Sequence, residues 1–358
     1  MRRGAEVEVL TQCSTRDLPE LAVHGGVTWR RFPNVITPPR FAVASGLWEY
    51  LRATARSFDL ADLHTNHAPF ALAASRADFR RLVFSPHAPI QRLLRWPFLR
   101  ATRSVIHDAA HVVCESQAAR DLLADRFPAD AHRMEVSPGG VDETAIRAAR
   151  PFEASSRVLL SIGRLERHER IERAIASLAS LDPSFRLIVI GDGPGRHRLD
   201  AYAADLRVAS RVAFTGALPT PNLYRWLRTA TVFVALAEHE DSGQQVAEAL
   251  TAGAPVVASD IPAHREAASY VDADGVIFVS PEGSPLEVAD AIADAARLRL
   301  HSVAHASAFG WDAVVDRTLG LYERLVLGGR AAAEDRGPAA AELPTRAADD
   351  TYELRVPD

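Results

Sequence analysis

The chain alternates short apolar runs with longer amphipathic stretches, and this alternation constrains its fold more than any other feature. In the first half the apolar runs have the length of β-strands and lie at Val7–Leu10, Val27–Phe32, Leu60–His64, Leu82–Ser85, His111–Cys114 and Met134–Val136. Between them, apolar residues recur at helical spacing and predict helices at Phe41–Arg56, Ala68–Ala77, Leu93–His107 and Gln117–Arg126. Strands that alternate with helices in this way indicate a parallel sheet.

The pattern stops at residues 139–157 and then starts again. Gly139-Gly140 predicts a turn, and the small and polar residues of Thr144–Ser156 predict a linker. Six more strands are predicted at Val158–Ile162, Leu187–Ile190, Val212–Thr215, Thr231–Ala235, Pro255–Ser259 and Gly275–Val279. Helices are predicted at 171–181, 195–206, 220–229, 243–252, 262–268 and 285–297. We therefore expect an α/β protein with two doubly wound, Rossmann-like sheets that face each other across a cleft.

The length of 358 residues fits two domains. We predict an N-terminal domain at 1–150, a C-terminal domain at 151–310, a helix at 311–329 that returns to the first domain, and a disordered tail at 330–358. The first predicted strand follows Met1–Gly4 directly, with no strand, turn and helix before it. We therefore expect the N-terminal domain to be shortened, either naturally or because the true start lies upstream.

The charge distribution argues against nucleic acid as a partner. The formal net charge is −5, but residues 331–358 carry seven acids and three arginines, so the rest of the chain is close to −1. A nearly neutral body has no field that attracts a polyanion. All 41 basic residues are arginines, so any side-chain cation that binds a phosphate group must be an arginine.

The composition predicts a cytoplasmic protein without a metal site. Cys13 and Cys114 are the only cysteines, and neither lies at the spacing of metal ligands or of a redox motif. No apolar run reaches the roughly 20 residues of a membrane-spanning helix. The N-terminus also lacks the basic and apolar segments of a signal peptide.

Two glutamates on either side of a glycine form the most informative motif, Glu240-Asp-Ser-Gly-Gln-Gln-Val-Ala-Glu248. It follows a predicted strand, which places Glu240 in a loop and Glu248 about one and a half turns into a helix. Backbone amides at the helix start are predicted to face phosphate or sugar oxygens, at Ser242, Gly243 and Gln244. The alternative is that both glutamates are solvated surface charges.

Two further glycine-containing loops follow predicted strands. At Gly163-Arg164 the glycine allows the backbone to approach a ligand, and the arginine can bind phosphate oxygens through two hydrogen bonds. The turn Gly191-Asp-Gly193-Pro-Gly195 imitates a dinucleotide fingerprint, which makes a dinucleotide-dependent oxidoreductase a distant alternative. Against that alternative, the turn follows the second strand of its domain, and its sixth position is Arg196 instead of glycine.

These three motifs, in this order, resemble glycosyltransferase family 4. The resemblance is most specific where Glu240…Glu248 continues as Ala-Leu-Thr-Ala-Gly-Ala-Pro-Val-Val-Ala-Ser. It covers about residues 6–327, strongly in the second half and loosely in the first. It implies the GT-B fold, in which two Rossmann-like domains face a cleft, with 1–150 on the acceptor side and 151–310 binding a nucleotide sugar.

The resemblance also implies roles for individual residues. Glu240 contacts the transferred sugar and Glu248 contacts the ribose hydroxyls, while the donor also contacts Gly163, Arg164, Gly191, Gly193, Ser242, Gly243 and Gln244. Family members carry a lysine five residues after the arginine, and the two cations clamp the diphosphate. Here Glu169 occupies that position, so we predict Arg170 as the substitute, with Arg167 as the other candidate; the alternative is that these arginines only solvate a loop.

In the first half, His87 follows the strand Leu82–Ser85 at the edge where α/β sheets bind ligands. The resemblance implies a catalytic position near the sugar and the acceptor, and a structural loop histidine is the alternative. For His64 and His67 we favour a structural role. Residues 92–103 mix arginines with large apolar side chains, which predicts either a weak contact with the inner face of a membrane or a docked helix.

The resemblance implies that the chain is a retaining hexosyltransferase. It would transfer a sugar from a GDP- or UDP-sugar to a glycan, lipid or small molecule, without a metal ion or another cofactor. Glu169 and the shortened N-terminal domain leave a second alternative, a non-catalytic GT-B homologue that acts as a binding or partner subunit.

Overall fold

The computed structural model describes residues 4–13, 18–34, 44–65, 68–87, 90–94, 98–271, 275–298 and 310–334. Its strands are β1 (Glu8–Cys13), β2 (Leu21–His24), β3 (Val27–Pro33), β4 (Ala61–Thr65), β5 (Leu82–Pro86), β6 (His111–Cys114), β7 (Met134–Val136), β8 (Arg157–Ile162), β9 (Phe185–Ile190), β10 (Val212–Gly216), β11 (Val232–Ala235), β12 (Val256–Ser259) and β13 (Val276–Val279). Its α-helices are α1 (Ser45–Thr54), α2 (Ala68–Ser75), α3 (Ile90–Leu93), α4 (Phe98–Asp108), α5 (Gln117–Arg126), α6 (Glu143–Ala148), α7 (Ile171–Ser177), α8 (Arg196–Asp205), α9 (Thr220–Thr229), α10 (Gln244–Thr251), α11 (Pro262–Ser269), α12 (Pro285–Ala295) and α13 (Trp311–Glu334).

The C-terminal sheet is parallel throughout and has the strand order β10-β9-β8-β11-β12-β13. The chain begins with β8 in the middle, adds β9 and β10 on one side, and then returns to add β11, β12 and β13 on the other. This is the predicted doubly wound, Rossmann-like order. Because helices cover both faces, its central strands are buried runs such as Val158–Leu160 and Val232–Val234, which the sequence shows as continuous apolar segments.

The N-terminal half contains a second parallel sheet with the order β4-β5-β6-β7. Its inner strand β5 is buried along its whole length. The core around it combines strand residues with buried side chains of the surrounding helices, including Leu47, Leu51, Ile106 and Leu123. The carboxyl ends of these four strands therefore lie on one edge, where His87 follows β5.

The prediction of a single N-terminal sheet is wrong, because β1, β3 and β2 form a separate three-stranded sheet in that order. β1 pairs with β3 in parallel, whereas β2 pairs with it antiparallel. A hairpin turn joins β2 to β3 at Gly25 and Gly26, whose φ angles of 58° and 82° favour glycine. The sequence pattern did not reveal β2, because its apolar residues Leu21 and Val23 are exposed and not part of a buried face.

The predicted linker contains a short helix, α6, which also departs from expectation. The side chain of Asp142 accepts a hydrogen bond of 2.9 Å from the backbone N–H of Ala145 and thereby caps the helix. Ile146 is fully buried, and α6 packs against α9 and α10. The segment between the two sheets is therefore anchored to the C-terminal domain by a capped helix with an apolar contact.

The single helix predicted at Leu93–His107 is two helices, α3 and α4, and Arg95–Pro97 lies outside the described residues. Leu93 is buried, and Leu94 and Leu99 pack against the N-terminal core. The described apolar side chains of residues 92–103 therefore pack as in a docked helix, and membrane contact there stays a prediction. Within the described part of the chain, no helix is long and apolar enough to cross a membrane.

The last helix, α13, contacts the N-terminal half. The Tyr322 hydroxyl donates a hydrogen bond to Asp62 near the start of β4, and Arg324 pairs with Glu135 in β7 at 3.0 Å. The helix runs through Glu334, five residues past the predicted boundary at 329. The remainder of the predicted tail, 335–358, lies outside the described residues.

Candidate functional site

The candidate site lies at the carboxyl ends of β9, β8 and β11, which are neighbours in the middle of the C-terminal sheet. The chain leaves β8 towards one side and reaches β11 on the other, so the loops after these strands diverge. Such a reversal of strand order creates a crevice, and ligands of open α/β sheets bind there. The three sequence motifs begin after these strands, at Gly163, Gly191 and Glu240.

The glycines after β8 and β9 allow two loops to pack against each other. Gly191 has a φ of 132°, and a Cβ atom there would lie 1.9 Å from the carbonyl oxygen of Gly163. A Cβ atom on Gly193 would lie 2.8 Å from the backbone nitrogen of Leu165. The Leu165 amide in turn donates a hydrogen bond of 3.1 Å to the carbonyl of Asp192. The structure thus brings the predicted donor-binding glycines together.

Gly243 fixes the start of α10. Its φ is 60°, and an added Cβ atom would lie 2.6 Å from the carbonyl oxygen of Ala263, so both conformation and space require glycine. The Ser242 hydroxyl accepts a hydrogen bond of 3.4 Å from the Gln244 amide. The first amides of a helix have no partner within the helix, so the start of α10 is suited to bind an anion.

The Gln244 side chain connects α10 to the turn between the domains. Its Nε2 donates to the carbonyl of Gly140 at 3.2 Å and to Oε1 of Glu248 at 3.3 Å. Burial raises the pKa of Glu248, against the opposing effect of the hydrogen bond from Gln244. The structure therefore places the Gln244 side chain in a contact between domains, next to the predicted ribose-binding carboxylate.

Glu240 is held by a buried histidine that sequence reasoning missed. His264 is fully buried, with Nε2 2.8 Å from Oε2 of Glu240 and Nδ1 3.0 Å from the carbonyl oxygen of Ser259. Because a carbonyl only accepts, Nδ1 carries a hydrogen, and one further proton lies between Nε2 and the carboxyl group. A signal was available in the sequence, since His264 follows Pro262 at the first turn of a helix, directly after the recognised motif.

Glu169 lies inside the candidate site. Its Oε2 lies 2.9 Å from the position of an added Cβ on Gly163. Burial raises the pKa of Glu169 to about 7, and the negative charges of Glu240 and Glu166 act in the same direction. The residue that replaces the expected lysine is therefore a carboxyl group beside the predicted donor loop.

The two predicted diphosphate-binding arginines lie in different surroundings. The Arg164 side chain is 75% exposed and pairs with Glu166 at 3.1 Å. Arg170, with a φ of 52°, pairs with Glu238 and lies 3.5 Å from Glu172. Arg170 is thus held between two carboxylates, and the structure leaves Arg164 as the more exposed cation of the two.

In the N-terminal domain, His87 belongs to a continuous hydrogen-bonded network. Its Nδ1 lies 2.6 Å from Oε1 of Glu115, and its Nε2 lies 2.7 Å from Nδ1 of His64. His64 Nε2 lies 3.1 Å from Oδ2 of Asp62, which also accepts from the Tyr322 hydroxyl. His64, for which we favoured a structural role, is therefore a direct partner of His87, whereas His67 lies outside the described residues.

The proton positions in this network follow from the acceptors at its ends. Two carboxylates accept, so His87 donates from Nδ1 to Glu115 and His64 donates from Nε2 to Asp62. The hydrogen bond to Asp62 raises the pKa of His64, against the opposing effect of burial. Burial alone would raise the pKa of Asp62, but its hydrogen bonds, first of all from His64, hold that pKa below the usual value. If His64 is an imidazolium, its Nδ1 donates to Nε2 of His87 and its Nε2 donates to Asp62, so each hydrogen bond of the network has one donor and one acceptor.

A cavity of about 260 Å³ opens beside this network. It is lined by strand-end side chains, by the turn at Ser137–Gly140, and by α13 through residues such as Trp311 and Thr318. His64 and His87 both line it. The predicted acceptor-side histidine thus borders a cavity at the carboxyl edge of the N-terminal sheet.

Two carboxylates of the C-terminal domain bind backbone amides of the N-terminal domain. Asp241 accepts from the amide of Ile90 at 3.1 Å, and Glu266 accepts from that of Gln117 at 2.8 Å. Burial raises the pKa of Asp241 to about 7, the Ile90 amide opposes this, and the charges of Glu115 and Glu240 add to it. The crevice is therefore bridged next to Glu240 itself.

Within the described ranges, no three histidine, cysteine, aspartate or glutamate side chains lie together as a metal site would require. The cations and hydrogen-bond donors of the candidate site are arginine side chains, histidine side chains and backbone amides. A reaction without a metal ion stays a prediction.

Family models match both halves of the chain. Residues 1–145 match the model described as Glycosyltransferase Family 4, and residues 142–306 match the model described as Glycosyl transferases group 1. The chain belongs to glycosyltransferase family 4. The boundary between the two matches falls at the turn and helix that join the sheets, and the second match contains all three loops of the crevice.

Several glycosyltransferases are similar to this chain. The D-inositol 3-phosphate glycosyltransferase of Segniliparus rotundus is 28% identical over 67% of this chain and 57% of its own length. That of Acidothermus cellulolyticus is 30% identical over 65% and 57%. The 2-deoxystreptamine glucosyltransferase of Streptomyces kanamyceticus is 29% identical over 50% of each chain. The chain thus spans little more than half the length of these relatives.

Solved structures confirm the GT-B fold of this chain. Sucrose-phosphate synthase from Thermosynechococcus elongatus superposes with a TM-score of 0.72 at 18% identity, over 91% of this chain and 90% of that chain. Anabaena HepE in complex with UDP-glucose gives a TM-score of 0.64 at 17% identity, over 91% and 100%. At such identities the likeness shows the fold alone.

Proposed function

We propose that this glycosyltransferase transfers a hexose from a nucleotide sugar to an acceptor hydroxyl, with retention of configuration and without a metal ion. One observation carries the proposal. The loops that bear Gly163-Arg164, Gly191 and Glu240 begin at the carboxyl ends of adjacent strands, where the strand order of the C-terminal sheet reverses, and Glu248 lies on the helix that follows the third loop. The glycosyltransferase names of the relatives agree with it.

Departure of a nucleoside diphosphate requires groups that stabilise its growing negative charge. Arg164 is the proposed cation, because its side chain is exposed at the crevice loop. The amides at the start of α10, around Gly243 and Gln244, are the proposed neutral donors. Arg170 is proposed to act indirectly: its ion pairs with Glu238 and Glu172 fix the conformation of the loop that carries Arg164.

Glu240 and Glu248 are proposed to bind the two sugars of the donor. A carboxylate accepts two hydrogen bonds from neighbouring hydroxyls, which suits both a hexose and a ribose. His264 orients Glu240, so this carboxylate is fixed before the hexose arrives. Glu248 is the fifth residue of α10, and we assign it to the ribose.

Transfer breaks the bond between the anomeric carbon and the diphosphate oxygen and forms a bond between that carbon and the acceptor oxygen, whose proton is released. We assign His87 to the acceptor side, because it lines the cavity of the N-terminal domain. Its Nδ1 donates to Glu115 and its Nε2 accepts from His64. The network therefore fixes the orientation of the His87 ring. Its Nε2 can accept a proton from a substrate only after the ring rotates or the hydrogen bond with His64 breaks.

The names of similar proteins narrow the substrates that we propose. Anabaena HepE has been solved with UDP-glucose, and an Escherichia coli protein with UDP-2-fluoro glucose. We therefore propose a UDP-sugar ahead of a GDP-sugar. Relatives named for D-inositol 3-phosphate and 2-deoxystreptamine favour a small cyclic polyol as the acceptor, and the cavity beside His87 has a volume of about 260 Å³.

A thermal-shift panel tests the donor assignment. A ligand that binds only the native state at one hundred times its Kd adds about 2.7 kcal/mol to the apparent stability. We expect a UDP-sugar to raise the Tm, while NADH and NADPH leave it unchanged. A shift with the dinucleotides and none with UDP- or GDP-sugars would refute the assignment and favour the oxidoreductase.

A non-catalytic binding subunit is the second candidate. It is favoured by Glu169, which stands where the family carries a lysine, and by the pairing of Arg170 with two carboxylates. Such a protein binds the nucleotide sugar but neither transfers nor hydrolyses it. Release of UDP from a bound UDP-sugar, measured with and without cyclic polyols, distinguishes the two candidates.

A further inference from the structure

Glu169 is a partly buried carboxyl group in the candidate site to which the proposed reaction assigns no task. It ends the short turn Arg167–Glu169, and its side chain is 23% exposed. Its carboxyl group packs against Gly163, and the backbone amide of Arg164 acts to lower its pKa. It therefore lies on the loop that is proposed to hold the donor diphosphate.

The groups of its own segment do not neutralise Glu169. Glu166 adds negative charge, and it also pairs with the Arg164 guanidinium at 3.1 Å. His168 has its Nε2 3.6 Å from Oε1 of Glu169. Burial, followed by the nearby His239, lowers the pKa of His168, which disfavours a positive charge on this ring.

The groups that face Glu169 from other elements do not neutralise it either. Glu240, in the loop after β11, adds negative charge. His264, on α11, acts in the opposite direction, but its Nε2 is already engaged by Glu240. Across the described part of the chain, no arginine forms an ion pair with Glu169. A carboxylate here would face both its acidic neighbours and the incoming diphosphate.

We propose that Glu169 carries a proton when the nucleotide sugar is bound, so that donor binding takes up one proton from solvent. The inference rests on the proposed function. The carboxylate combines with the proton, and the resulting acid donates its hydrogen to a diphosphate oxygen. A neutral donor thereby occupies the position of the family's lysine. Because burial raises the pKa of Glu169 to about 7, uptake occurs close to neutral pH.

Calorimetry of the wild-type chain with UDP-glucose at pH 6 and pH 8 tests this inference. A nucleotide sugar is the right probe, because the terminal phosphate of free UDP titrates itself, with a pKa of about 6 for such groups. If only the protonated form binds, the Kd rises about tenfold between these pH values. Titrations in buffers of different ionisation enthalpy are expected to show uptake of about one proton at pH 8 and almost none at pH 6.

Substitutions assign the effect to this side chain. Glu169→Gln keeps the shape and a hydrogen-bond donor, so it is expected to bind UDP-glucose with the same Kd at both pH values. Glu166→Gln, the neighbouring control, retains a rise in Kd between pH 6 and pH 8, because Glu169 is still present. Asp241→Asn is the second control. Burial raises the pKa of Asp241 to about 7 as well, so this variant shows whether Asp241 causes the pH dependence instead.

Three results overturn the inference. The first is an equal Kd at pH 6 and pH 8 with no proton uptake in the wild-type chain. This result can be obtained without any variant. The second is a pH dependence that persists in Glu169→Gln and disappears in Asp241→Asn. The third is the absence of binding by UDP-glucose, UDP-N-acetylglucosamine and GDP-mannose at every pH, which removes the proposed function as well.

Discussion

His264 is hydrogen-bonded through both ring nitrogens, to Glu240 at 2.8 Å and to the carbonyl of Ser259 at 3.0 Å, while its side chain is fully buried. The ring thus links the loop after β11 to the end of β12. A carboxylate on a loop has many orientations, and this contact selects one of them. The buried histidine is therefore a positioning residue for the proposed sugar-binding carboxylate.

Replacement of this histidine, His264→Ala, is expected to reduce kcat/KM for sugar transfer by at least tenfold. The substitution leaves a buried void and also lowers the free energy of unfolding by about 2 kcal/mol. Steady-state kinetics and urea unfolding measure the two effects. His197→Ala, at an exposed position on α8, is the control and should change neither. Unaltered kinetics in a folded His264→Ala protein would contradict the positioning role.

Substitution of Gly191 is expected to disrupt the contact between the loops after β8 and β9. In Gly191→Ala, the new Cβ overlaps the Gly163 carbonyl oxygen and the φ of 132° is unfavourable, so the free energy of unfolding falls by about 2 kcal/mol or more. Gly328→Ala in α13 is the matched control, with nothing within 4 Å of its Cβ. At Gly328 the same change is expected to raise the free energy of unfolding by up to about 1 kcal/mol, because alanine has a higher helix propensity than glycine. Equal effects on urea unfolding would contradict the packing role.

Much of the C-terminal domain was predictable, because its strands are buried on both faces and appear as apolar runs separated by glycine-containing loops. The separate N-terminal sheet was not. Its hairpin strand β2 exposes Leu21 and Val23, so burial left no pattern, although Gly25-Gly26 carried a hairpin signal. The helix α6 was missed because only Ile146 of its six residues is buried.

In the candidate site, local sequence identified the loops but not the partners of their side chains. The position of His264 directly after the motif made it a candidate, but nothing in the sequence indicates that it binds Glu240, which lies 24 residues earlier. The pairing of Arg170 with Glu238 depends on the fold of two loops 68 residues apart. Contacts of this kind arise from tertiary packing, whereas glycines at strand ends are dictated by backbone conformation and are visible in the sequence.

Asp241 is expected to make stability depend on pH. Its pKa is about 7 in the folded chain and 3.8 when unperturbed, so the folded state retains a proton that the unfolded chain has lost. Its contribution to the free energy of unfolding is fully present below about pH 4 and is lost as the pH rises through about 7. Asp241→Asn keeps the acceptor for Ile90 and should raise the free energy of unfolding by about 1 kcal/mol at pH 8, and less at pH 5. An equal effect in urea unfolding at both pH values would argue against this.

Glu266 is expected to stabilise the observed arrangement of the two domains. It accepts hydrogen bonds from the amides of Gln117 and Ala118 at the start of α5, and the Tyr270 hydroxyl donates to it. A carboxylate at a helix N-terminus contributes about 0.3–1 kcal/mol. Glu266→Ala should therefore open the cleft and increase the radius of gyration in small-angle scattering. Glu282→Ala, on the loop before α12, should leave it unchanged, and equal radii in all three proteins would contradict the bridging role.

The central claim is that a nucleotide sugar binds between the loops after β8 and β11. Its most direct measurement is calorimetric titration of UDP-glucose into Arg164→Ala and Glu248→Ala at pH 6, with Arg297→Ala as a control whose side chain is 74% exposed against 75% for Arg164. We predict that each site variant weakens binding at least tenfold, about 1.4 kcal/mol, through loss of a charged hydrogen bond. The control should stay within about twofold. Unchanged affinity in both Arg164→Ala and Glu248→Ala would contradict the account.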